Sequence, residues 1–120
     1  MRKRNLYIIT IITLCLLLIC SCAPVRKALD ARSGLSKNLT ATENHIRKAD
    51  WDNAATSLIS TEKSWHKIKP ILQLDIDHNY VNDIENNIVK LKAYLESQEK
   101  ADSLSIILLI QKSWEDIGQM

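Results

Sequence analysis

The chain has 120 residues, 46% of them apolar and 25% charged, with 16 Lys plus Arg against 14 Asp plus Glu for a formal net charge of +2. That length suits one small domain rather than two, and nothing in the sequence is a nucleic-acid footprint, which would need clustered basic residues on one face. Two glycines, two prolines and no sustained apolar/polar alternation exclude a strand-rich architecture and predict an all-helical protein.

The first element is Leu6 to Cys22, "LYIITIITLCLLLICSC", seventeen residues without a charge, preceded by Arg2, Lys3 and Arg4. A basic segment, an apolar core and small residues at its end form an export signal. Ile19, Cys20, Ser21 and Cys22 resemble the lipobox of bacterial lipoproteins, with an apolar residue three before the cysteine and a small one just before it. Cys20 departs from the Ala, Ser or Thr usual at its position. Cys22 is the expected lipidation site and new N-terminus. The alternative is an uncleaved signal anchor, for which the run is marginally short, since about 20 apolar residues span a bilayer as a helix. With the basic triplet held inside, both alternatives put the rest of the chain outside. The expected location is the outer face of the cell membrane.

Residues 1–21 therefore read as signal or anchor and 22–120 as an extracytoplasmic domain. The second part carries 13 basic against 14 acidic residues, a net charge of about −1. All three cysteines, Cys15, Cys20 and Cys22, lie at or before its first residue, so no disulfide is available to it. Helix packing, the membrane or a partner must hold a domain this small.

From Val25 the residues Ala28, Leu29, Arg32, Leu35, Leu39, Thr42 and Ile46 recur at three-and-four spacing, which predicts one helix, frayed before Leu35 by Gly34. Arg47 and Lys48 suit its C-terminus, and Asp50 is the expected N-cap of a second helix. That helix carries Trp51, Ala54, Ala55, Leu58, Ile59, Trp65 and Ile68 on one side and should break or kink at Pro70. A third helix is predicted from Asn79 to Ser97. Its Tyr80, Val81, Ile84, Ile88, Leu91, Tyr94 and Leu95 fall within an arc of about 140 degrees, with only Val89 opposite. A fourth runs from Gln98 or Glu99 to Ile117, apolar nearly all round, and Gly118 ends it. The fold expected is a small antiparallel bundle of about four helices behind the N-terminal anchor.

The order of landmarks, "DWDNAATSL", "SW", "KP", "DIDH" and "IENNIVKLKAYLES", resembles the bacterial family known as domain of unknown function 4363. Asp50, Trp51, Ala54, Leu58, Trp65, His78, Ile84, Leu91 and Tyr94 carry the resemblance. It implies a secreted or anchored helical domain, typical of spore-forming Gram-positive bacteria, without an assigned activity. It also implies an integral membrane protein, encoded next to it, as the partner to look for. The final "DIGQM" departs from the family's histidine-containing tail.

Chemistry is sparse. There is no glycine-rich phosphate loop, no cysteine ligand pair and no histidine pair at helix spacing, so no cofactor is expected. Nothing in the pattern unites a nucleophile, a base and an oxyanion donor, and the chain reads as non-catalytic. Glu62 and Lys69 project into the apolar arc of the second helix, with His66 one turn after Glu62 and Asp75, Asp77 and His78 beyond Pro70. Glu62, His66 and His78 are the residues of the alternative function, a ligand- or metal-binding lipoprotein. The simpler expectation is that Glu62 and Lys69 snorkel at the seam edge while Asp77 or His78 caps the third helix. The aromatic residues sit at helical core positions. On the last helix the apolar arc is about 200 degrees wide, more than one core covers. Ile106 and Leu109 are therefore the expected interface to a partner helix or a second copy. The leading function is a membrane-attached module that binds another protein.

Overall fold

The computed structural model describes residues 2–20, 25–74 and 76–118, and among these there are six helices and no strand. They are α1 (Arg2–Cys20), α2 (Val25–Ser33), α3 (Leu35–Arg47), α4 (Trp51–Leu72), α5 (His78–Glu96) and α6 (Lys100–Ile117). The all-helical class is as the composition predicts. The count is higher because Val25 to Ile46 is two helices, not one.

Gly34 makes the break. Its φ of 72° is left-handed, which ends α2 cleanly instead of fraying it, and its amide donates to the Asp30 carbonyl at 2.7 Å. Asp30 then caps the next helix through Oδ1, which accepts from the Ser36 amide at 2.8 Å. The apolar spacing continues across the break because α2 and α3 both lie along α4.

The caps read from sequence are present. The Asp50 side chain accepts from the Asn53 amide, and Asp77 accepts from the Asn79 amide at 3.1 Å. The α3–α4 and α5–α6 turns share one design. The Asp50 amide donates to the His45 carbonyl and the Glu99 amide to the Tyr94 carbonyl, with Ala49 and Gln98 left-handed at φ 54° and 56°. These are Schellman closures built without the usual glycine. Pro70 neither breaks α4 nor ends it directly. The helix continues to Leu72, because a proline this close to a C-terminus costs little further pairing, and the Gln73 amide closes back on the Lys69 carbonyl.

α3 packs on α4 and α5 on α6, and the two hairpins close through α3 against α6 and α4 against α5. Trp65 and Trp114 are each 1% exposed at the centre of the core, and Ile46, Leu91 and Ile107 are fully buried. Each tryptophan finds a partner for its polar edge, Trp114 donating to Ser36 Oγ at 3.1 Å and Trp65 to Glu85 Oε1 at 3.3 Å. The α3–α4 seam is small and polar. Asn38 Nδ2 donates to Ser64 Oγ at 2.8 Å, and Ser64 Oγ donates to the Ser33 carbonyl at 2.6 Å, which satisfies an end carbonyl of α2. These pairings run α2 and α3 antiparallel to α4 and place the start of α2 beside the last turns of α4.

α1 differs in kind. Every side chain from Lys3 to Cys15 is exposed, among them Leu6, Tyr7, Ile9, Ile11 and Leu14. From Leu6 to Cys20 an α-helical rise covers only about 22 Å of a hydrocarbon layer about 30 Å thick. Among the described residues no helix is long and apolar enough to cross a membrane. Cys22 and Asp75 lie outside the described residues.

Candidate functional site

The α4–α5 seam is closed at one end and open at the other. Three polar contacts hold the closed part: Trp65 and Lys69 on the Glu85 carboxylate, and Lys92 Nζ on Glu62 Oε1 at 2.9 Å. Lys69 beside it, with help from the Trp65 indole, holds the Glu85 carboxyl below the usual glutamate range. Beyond the Glu62–Lys92 bridge the seam is lined at Ala55 by a small, exposed side chain that leaves space beside it. The result is a groove of about 350 Å³ running to Trp51 and Gln98.

Leu58 and Leu95, both buried, form the floor of this groove, and Trp51 and Ile59 form one wall. Ile59 is 49% exposed. The rim is polar: Asp52, Lys92, Glu96 and Gln98. Lys92 is already paired with Glu62, whereas Asp52 and Glu96 make no ion pair among the described residues. The groove therefore offers apolar contact with a negative edge, a surface for recognition with no nucleophile or base arranged in it. The carboxylates of Glu99 and Asp102, at the same end of the bundle, crowd each other, and the contact raises the Glu99 pKa.

The residues singled out from sequence are not brought together. Glu62 is engaged by Lys92, His66 is exposed on α4, and His78 is the exposed first residue of α5, capped by Asp77. Among the described residues no group of three or more His, Cys, Asp and Glu could hold a metal ion. Ile106 and Leu109 are also separated. Ile106 is 9% exposed and faces the core, while Leu109 at 49% shares the surface with Leu108. The wheel of a helix apolar on most sides does not fix which way it is turned.

Sequence reasoning missed Glu85 and the groove. Glu85 sits one residue after Ile84 at the edge of the apolar arc, where a carboxylate meeting Trp65 and Lys69 was a readable pairing only once α4 and α5 were known to be neighbours. On the opposite side of the bundle, Glu43 accepts from Gln111 Nε2 at 3.0 Å and from Arg47. The Gln111 hydrogen bond, then Arg47, keep its carboxyl below the ordinary value.

Fold and groove together define a small all-helical bundle with one open seam between α4 and α5. The chain belongs to the family described as Domain of unknown function (DUF4363), whose model matches residues 25–120. No curated protein and no solved structure matches it.

Proposed function

We propose that this chain is a non-catalytic module anchored at the outer face of the cytoplasmic membrane, which works by binding a membrane protein through the α4–α5 groove. The observation that carries the reading is the groove itself, an open seam floored by Leu58 and Leu95 and walled by Trp51 and Ile59. Its free Asp52 and Glu96 favour a partner segment with an apolar anchor residue flanked by Lys or Arg. The anchoring rests on the basic triplet, the uncharged run to Cys22, and the exposed apolar side chains of α1, which need lipid around them.

A photo-crosslinking amino acid at Ile59 of the full chain in cells tests this. The expected product is an adduct with one membrane protein, absent when the crosslinker replaces Val89, an exposed residue on the outer side of α5. Ile59→Asp should abolish the complex while helicity is retained. An adduct with a second copy of the chain would replace the membrane-protein reading by self-association, and no adduct at Ile59 would remove the groove from the function.

A further inference from the structure

The end of the bundle nearest the N-terminal segment carries a second exposed surface, unrelated to the groove. Lys63, Lys67 and Ile71 repeat at i, i+4 and i+8 on one exposed face of α4, and Leu74 follows in the turn. Ile71 is 44% exposed and Leu74 87%, the most exposed large apolar side chain in the bundle. α2 lies alongside: Leu29, Arg32 and Ser33 share a cleft with Lys67, Ile68 and Ile71. Lys27, Arg32, Lys63 and Lys67 are all exposed and make no ion pair among the described residues. Of the acids close by among the described residues, Asp30 accepts from the Ser36 amide and Asp77 from the Asn79 amide.

We infer that this corner docks on the surface of an anionic phospholipid bilayer, with Ile71 and Leu74 entering the interface and Lys27, Arg32, Lys63 and Lys67 facing lipid phosphates. The inference rests on the anchored reading, and chain length makes it specific. Only residues 23–24 separate a lipidated Cys22 from Val25 at the start of α2, and only residues 21–24 separate Val25 from Cys20 at the end of an uncleaved α1, so in either case a fully extended chain spans at most about 17 Å. The corner is thus held near the headgroups, where the negative surface potential falls off over about 8 Å at physiological salt. A cationic face with an apolar tip matches that surface, as in interfacial helices. The groove opens toward the opposite end of α4, a helix of 22 residues and hence about 33 Å long, so docking at this corner leaves the groove accessible to an extracytoplasmic part of a partner.

The test uses the full chain reconstituted in phosphatidylglycerol vesicles with brominated acyl chains, which quench an indole on contact. Leu74→Trp should lose at least half of its added emission relative to unbrominated vesicles, after subtraction of the wild-type signal, whereas Val89→Trp should lose none. Combining Leu74→Trp with Arg32→Glu and Lys67→Glu should abolish the quenching while the chain still floats with the vesicles. Floating chain without quenching at position 74 would overturn docking and leave the anchor intact. Equal quenching in phosphatidylcholine vesicles would overturn the anionic specificity. A chain that fails to float would remove the anchor and the docking together.

Discussion

Trp65 on α4 donates its indole N–H to Glu85 Oε1 on α5 at 3.3 Å, and Lys69, one turn further along α4, reaches the same oxygen at 2.5 Å. One carboxylate therefore ties the largest buried side chain of α4 to the neighbouring hairpin. Trp65→Ala should cost about 3 to 5 kcal/mol, since the site is 1% exposed and cannot collapse without moving two hairpins. That is a large share of the roughly 5 to 15 kcal/mol available to a domain. Glu85→Gln keeps an acceptor for the indole and loses only a partly exposed ion pair, so it should cost less than about 1 kcal/mol. Urea denaturation followed by circular dichroism separates the two.

Among the described residues three positions are left-handed, and one of them is glycine. Gly34 has φ 72° and nothing within 4 Å of an added Cβ, so Gly34→Ala should cost only the backbone strain, about 1 to 2 kcal/mol. Ala49 and Gln98 already bear that strain at φ 54° and 56°. Ala49→Gly and Gln98→Gly should each raise stability by about 1 kcal/mol, with some of the gain offset by the freer unfolded chain. Thermal melts of the three variants check the opposite signs; a loss of stability in both glycine variants would refute the strain account.

The sequence announced its helices because local rules govern them. Asp50 and Asp77 cap where a carboxylate precedes an apolar-periodic run, and Val81, Ile84, Ile88 and Leu91 share one face because 3.6-residue spacing places them there. What failed was non-local. Leu35, Leu39, Thr42 and Ile46 keep the period of α2 across Gly34, so periodicity alone could not reveal a change of helix. Ile106 and Leu109 were paired as an interface from a wheel with no reference direction, and packing against α3 and α5 turned Ile106 inward. The groove is lined from α4 and α5 together, so it is a property of two helices and not of either one.

Acid should weaken the fold through Glu43 and Glu85. Both carboxyls titrate below their ordinary value of 4.5 in the folded protein, Glu43 chiefly through Gln111 and Glu85 chiefly through Lys69. A depressed carboxylate pKa means that the unfolded chain binds protons more readily. The stabilisation is complete above about pH 4.5 and is lost as pH falls through the folded values. The double variant Glu43→Gln, Glu85→Gln should therefore be less stable at neutral pH and show a shallower loss between pH 5 and 3. Glu99 acts in the opposite sense, since Asp102 raises its pKa and protonation relieves their repulsion. Glu99→Gln should be neutral or stabilising at pH 7. Denaturation midpoints across that pH range check all three statements.

The anchor has its own chemical signature, independent of folding. If Cys22 is the modified residue, metabolic labelling with a fatty acid should mark the wild type and leave Cys22→Ala unlabelled, because the thioether forms on that sulfur alone. Cys20→Ala should stay labelled and be processed at least as well, since alanine is the more usual residue two before a lipidated cysteine. Labelled wild type should also migrate as the shorter chain, with Met1 to Ser21 removed. An unlabelled, full-length wild type that stays in the membrane would instead establish Leu6 to Ser21 as an uncleaved helix. The bundle would then hang from a protein stem, with the same outward orientation, because Arg2, Lys3 and Arg4 remain on the cytoplasmic side in either case.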